Sequence, residues 1–232
     1  MLSPVALISL LDREVYLYAE VDRIVGLRSG TARRWINGYE RGGKSYAPIL
    51  RTQPRDSEWV TWGEFVEARI LAELREEVKT QRLRLAVQAL RDAYKVDYPL
   101  AHLRPYLCAE SRELVIGGAD VGLNEEKMVV RTGQMLLGDG LSLMERATLG
   151  VDENGERYVT ELPADDEFPD IVINPQRFSG QPTIAGRRIA VATIAGMREA
   201  GEGEADLAAD YGLSISQVRA AVDYAKKHRL AA

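Results

Sequence analysis

The residues best placed to do chemistry in this sequence are cations. Between Arg23 and Arg55 stand Arg23, Arg28, Arg33, Arg34, Arg41, Lys44, Arg51 and Arg55 against a single acid, Glu40. Unbalanced positive charge of this kind binds phosphates, and a helix narrow enough for the major groove can carry donors to base edges. Arg28, Ser29 and Thr31 surround the expected start of such a helix. Arg33 and Asn37 lie four residues apart and share one of its faces, with Arg34 beside them. Trp35 and Ile36 turn at least partly inward. Arg41, Lys44 and Arg51, farther along, are expected to meet the sugar–phosphate backbone. From Asp152 to Asp170 the bias reverses, with eight acids opposing only Arg157.

Other chemistry finds less support. Asp165, Asp166, Glu167 and Asp170 could be imagined as a metal or acid–base site, but they lack EF-hand spacing and sit beside Pro163 and Pro169. They read as a solvated linker. His102 and His228 have no Ser or Cys motif near them, and neither a G-x-S-x-G elbow nor a P-loop occurs. The expectation is a protein that is not an enzyme and that needs no metal or cofactor. The only cysteine, Cys108, excludes an internal disulfide framework.

The chain of 232 residues is 46% hydrophobic and 28% charged, enough to build a core in one large domain or two small ones. Its net charge of −5 seems to oppose nucleic-acid binding until it is divided by position. No signal peptide is read at the first residues, and no apolar run approaches the ~18 residues of a membrane helix, so a cytoplasmic protein is expected.

Several elements must position these groups. Val15 to Val25 fits a short helix, or a strand leading into one. After a break at Gly26, Ser29 is expected to cap a second helix, Thr31 to Asn37, which Gly38 ends. Gly42-Gly43 predicts a tight hairpin bearing Arg41, Lys44 and Tyr46. Two amphipathic helices follow, over Thr61–Val78 and from Thr80. The stripe Val66, Ile70, Leu74, Val78 is read as core or dimer seam. Short β-leaning runs at 114–116, 128–130 and 158–160 suggest a β-rich connector. Toward the end of the chain come a strand at Ile171–Ile173, turns around 180–182 and 185–188, and three helices. The last of these opens with the S-x-x-Q capping box of Ser214 and Gln217.

Residues 16 to 95, with YAEVDRIVGLRSGTARRWINGYER followed by a wing and a helical pair, resemble a MerR-type winged helix-turn-helix. Residues beyond 170, with NPQRFSGQPTIAGRRIAVATIAGMREAGE and then LAADYGLSISQVRAAVDYAKKH, resemble a small bacterial domain of formally unknown function. Proteins that join the two resemble antitoxins of a type II toxin–antitoxin family whose toxins are PIN-domain-type ribonucleases. The resemblance implies a DNA-binding, toxin-neutralising role. A PIN-type nuclease clusters carboxylates around a metal, so Arg177, Arg187 and Arg188 become candidates for toxin binding.

The fold expected is therefore α+β and mainly helical. It comprises a MerR-like domain over 1–108, a β-rich connector and acidic linker over 109–166, and a helical domain over 167–232. The expected partners are operator DNA, a ribonuclease toxin and a second copy of the chain. Two alternatives stay open: a stand-alone, ligand-responsive MerR-like regulator, and an enzyme using the Asp165–Asp170 carboxylates.

Overall fold

A computed structural model describes residues 9–74, 80–105 and 143–230. It is a mixed α+β structure of helices and small sheets, divided into two compact units. The first comprises Met1–Glu145 and Leu149–Val159, the second Arg146–Thr148 and Thr160–Ala232. The β-leaning runs at 114–116 and 128–130 lie outside the described residues.

In the first unit, strand β1 (Glu14–Leu17) leads directly into helix α1 (Tyr18–Val25), the second of the two readings of that segment. Helix α2 (Thr31–Asn37) follows a turn, and strands β2 (Tyr39–Arg41) and β3 (Lys44–Tyr46) then form the expected hairpin. Both turn residues, Gly42 and Gly43, have positive φ (59° and 72°), as a two-residue hairpin turn of this hand requires. Gly38 is obligatory for a second reason: at φ 74°, a Cβ on it would stand 2.5 Å from the Tyr46 carbonyl oxygen.

Strand β4 (Trp59–Thr61) pairs antiparallel with β1 and runs into α3 (Trp62–Leu74), which α4 (Thr80–Tyr94) follows. Trp62, Phe65, Val66, Ile70 and Leu71 of α3 are fully buried, with Leu83, Val87 and Leu90 of α4. The apolar stripe, as far as its side chains are described, is thus core within one chain. Tyr98 packs so closely on Gly63 that a Cβ there would fall 2.5 Å from the ring. The indole of Trp62 donates to the Val159 carbonyl (2.8 Å), which ties residues near 159 into this unit.

Strands β5 (Thr148–Val151) and β6 (Arg157–Pro163) come next in the chain. In the second unit the end of β6 pairs with β7 (Ile171–Ile173), and β7 with β8 (Thr183–Ile184), all antiparallel. Helices α5 (Val191–Glu199), α6 (Glu204–Tyr211) and α7 (Ile215–His228) complete the unit. Ser214 and Gln217 form the expected reciprocal cap of α7.

The acidic run is not the solvated linker expected. Asp166 pairs with Arg146 (2.8 Å), and Lys227 bridges Asp165 (2.7 Å) and Glu167 (2.8 Å). His228 lies 2.8 Å from Asp165. Burial alone would raise the Asp165 carboxyl, but hydrogen bonds from Lys227, the Glu167 N–H and His228 together hold it below its ordinary value. Asp165 and Glu167 fasten the end of α7 through Lys227 in its last turn.

Candidate nucleic-acid interface

Helix α2 has no side-chain cap of its own. Gly30, not Ser29, occupies the capping position, in the left-handed region at φ 77°. The cap comes from α1: the buried Asp22 carboxylate accepts the N–H groups of Gly30 (2.6 Å) and Ala32 (2.7 Å). A negative charge there also complements the positive end of the helix dipole. Asp22 therefore fixes the angle between the two helices and leaves Ser29 exposed to solvent.

Residues released in this way cluster at the start of α2. Arg28 and Ser29 are exposed, and among the described residues their side chains have no intramolecular partner. Thr31 is the first residue of α2, and its hydroxyl accepts from Arg34 (3.0 Å), which also donates to the Gly30 carbonyl (3.1 Å). Arg33 meets Glu58 at 3.5 Å with both side chains more than half exposed, a pair water weakens to little net value. Arg41 and Lys44 face one another across the hairpin, both exposed and without an ion-pair partner among the described residues. Tyr39 and Tyr46 stack beside them with ring centroids 4.6 Å apart.

Two of the expected contact residues are used internally. Arg51 is buried, and all five of its guanidinium N–H groups are spent. They reach both Glu64 carboxylate oxygens (2.6 and 3.0 Å), the Tyr18 hydroxyl (2.8 Å), Asn37 Oδ1 (2.8 Å) and the Trp59 carbonyl (2.8 Å). Burial would lower the Arg51 pKa, but the bonds and charge of Glu64 raise it overall, so it stays charged. Asn37 grips the backbone of Arg55 in both directions (2.7 and 2.9 Å). Together these residues anchor the end of α2 to α1, β4 and α3, which makes them supports for the exposed cations. The expectation of Arg51 as a phosphate contact fails because a single acid, Glu64, captures it.

Glu64 and Asp22 are the residues that the sequence reading passed over. Glu64 had a visible signal: Thr61 and Glu64 have the spacing of a reciprocal cap, and they form one at 2.9 and 3.3 Å. Asp22 had none that local spacing could give, since it caps a helix eight residues ahead.

The candidate toxin-binding arginines are not brought together. Arg177 follows β7 and is bound to Glu161 (2.8 Å). Arg187 and Arg188 leave β8 beside the start of β7, both exposed, and Arg187 donates to the Gly212 carbonyl (3.0 Å). Among the described residues, no group of three or more His, Cys, Asp or Glu side chains could hold a metal ion. None of their helices is long and apolar enough to cross a membrane.

Fold and charge together define an α+β protein in which a cation-bearing helix pair precedes a separate helical unit. Residues 171–225 of the second unit match a family described as "Protein of unknown function (DUF433)". Over 225 residues the chain is 57% identical to "Uncharacterized protein Rv2308" of Mycobacterium tuberculosis, across 96% of this chain and 94% of that protein, and it belongs to the same family. It is also 26% identical over 237 residues to "Putative antitoxin VapB45" of that organism, across 91% of this chain and 94% of the relative. The X-ray crystal structure of Rv2018 from Mycobacterium tuberculosis has a similar fold, with a TM-score of 0.64 at 20% identity over 92% of this chain and 99% of that one.

Proposed function

We propose that this protein is a DNA-binding antitoxin that represses its own operon and neutralises a ribonuclease toxin of the PIN type. The observation that carries the reading is the set of cations left unneutralised around the start of α2 and on the hairpin: Arg28, Arg41 and Lys44, with Arg33 only loosely paired. A folded protein ordinarily matches its exposed charges with neighbours or disperses them. Here two nearby acids are engaged elsewhere, Glu64 by Arg51 and Asp22 by the first N–H groups of α2. The helices α1 and α2 act as a helix-turn-helix, with α2 entering the major groove and the hairpin serving as the wing along the backbone. Arg28, Ser29, Thr31, Arg33 and Arg34 face the groove; Arg41 and Lys44 face phosphates.

The relative named an antitoxin supports a toxin partner. The second unit, with Arg187 and Arg188 the more available of its candidate arginines, takes that role. The protein acts in the cytoplasm as a homodimer, without catalysis of its own; α4 offers the exposed Leu85 to a second copy. Coexpression with the product of the adjacent gene tests the toxin half. Growth restored by the wild-type protein supports it, and growth arrested regardless refutes it. Retardation of DNA from its own upstream region tests the other half, with Arg33→Ala plus Arg34→Ala expected to weaken the complex and an unchanged complex refuting the assignment.

A further inference from the structure

The turn that follows β7 holds its backbone where bulky side chains rarely go. Phe178 (φ 44°) and Ser179 (φ 52°) both lie in the left-handed region, followed by Gly180 at φ 78°. For an aromatic residue this is a steric outlier that persists only when the surroundings over-determine it. They do. The buried Asn174 accepts the Gln176 N–H (2.9 Å) and donates to Glu161 (3.2 Å), and Arg177 donates to the same Glu161 oxygen (2.8 Å). Backbone bonds from Arg177 to Asn174, Gly180 to Arg177 and Gln181 to Phe178 close the turn at 2.9–3.1 Å. All this order delivers a ring that is 48% exposed and has no aromatic partner among the described residues.

We infer that Phe178 is a protein-docking anchor: a preorganised ring presented to an apolar pocket whose rim carries a carboxylate. Single aromatic anchors in desolvated pockets dominate protein interfaces, and fixing one beforehand removes the cost of ordering it on binding. Arg177 beside it, a third exposed, bonds Glu161 through one guanidinium nitrogen, and its remaining donors would meet a carboxylate on the rim. Nucleic acid is disfavoured as the occupant, because this unit carries eleven acids against nine Lys and Arg. The partner meant is the toxin of the proposed function, and the inference rests on that reading.

The test compares the full-length protein with Phe178→Gly, Phe178→Ala and Phe178→Tyr, measuring affinity for the purified product of the adjacent gene and the thermal midpoint of each variant alone. Glycine relieves the left-handed backbone, so Phe178→Gly should melt at or above the wild type and at or above Phe178→Ala. Its affinity should fall at least 30-fold, that of Phe178→Ala likewise, and that of Phe178→Tyr less than threefold. Wild-type binding with Phe178→Gly within threefold of it overturns the anchor and leaves the antitoxin reading standing. A midpoint for Phe178→Gly several degrees below wild type overturns it too, by showing that the ring serves the fold. No binding by the wild type removes the antitoxin reading and the anchor with it.

Discussion

Each unit of this protein contains two short helices joined by a glycine-bearing turn, α1–α2 in the first and α6–α7 in the second. Their backbones invite the same reading, and their charges separate them. Around α2 and its hairpin, Arg28, Arg41 and Lys44 have no partner among the described residues and Arg33 meets only the exposed Glu58, whereas Arg219, the exposed arginine near the start of α7, is held by Glu204 at 2.8 Å. At the far end of α7, Lys227 is occupied by Asp165 and Glu167. The interiors differ in the same sense. The first unit buries Asp22, Arg51, Glu64, Glu67 and Arg91; in the second the buried polar residues among those described are Asn174 and Thr183, both uncharged. The lesson is that two helices and a turn do not by themselves make a DNA-binding surface. What distinguishes the first unit is that its interior pairs Glu64 with Arg51 and gives Asp22 to the start of α2, while Arg28, Arg41 and Lys44 stay exposed with no partner among the described residues.

This contrast places a pH dependence on the alkaline side in the first unit. Glu67 of α3 is fully buried, with one oxygen accepting the Leu100 N–H (3.2 Å) and the other without a hydrogen-bond partner among the described residues. Burial raises its pKa from 4.5 to about 8 against the opposing charge of Arg91. An unfolded chain loses this proton near pH 4.5 while the folded one keeps it to about 8, so its stabilising contribution is complete below 4.5 and is lost as pH rises through that window. The full span is worth roughly 4–5 kcal/mol. Urea unfolding at pH 5 and pH 9 should show Glu67→Gln gaining on the wild type at the higher pH. A difference independent of pH would contradict the burial described.

Arg51→Ala should cost ~3–5 kcal/mol, because it strands the Glu64 carboxylate in the core. Arg51→Lys should recover little of this, since one ammonium cannot fill five donor positions. Denaturant midpoints decide it, and a loss below ~1 kcal/mol would mean that Arg51 is not the hub of the first unit.

Helix capping sharpens the comparison further. Asp22→Ala removes two charge-assisted bonds that reach across from another helix and should cost ~2 kcal/mol. Ser214→Ala removes one local cap and should cost ~1 kcal/mol. Equal costs would show that the long-range cap of α2 has no special weight.

The sequence made much of this visible and hid the rest for definite reasons. The Gly42-Gly43 hairpin, the helices of both units and the Ser214–Gln217 box were legible because each is encoded within a few residues. The basic segment was legible as composition. Composition could not show which of its cations would be exposed, since Arg51 meets Glu64 only when β4 brings α3 against it. The same holds for Asp22, whose partners are eight and ten residues away. The acidic run misled because its partners, Lys227 and His228, come from the other end of the unit. The toxin-binding arginines were grouped by sequence proximity, but the short β7–β8 ladder puts them at opposite ends.

The central claim is that the free cations of the first unit, and not the helix pair of the second, contact DNA phosphates. It is tested most directly by the salt dependence of binding to the protein's own upstream DNA, measured by fluorescence anisotropy. Each phosphate contact contributes a slope of ~0.9 in log K against log salt. Replacing Arg28, Arg41 and Lys44 together by alanine should weaken binding and flatten that slope by roughly 2–3. Arg219→Ala should change neither affinity nor slope. An unchanged slope in the triple variant, or a slope that falls with Arg219→Ala instead, would contradict the account.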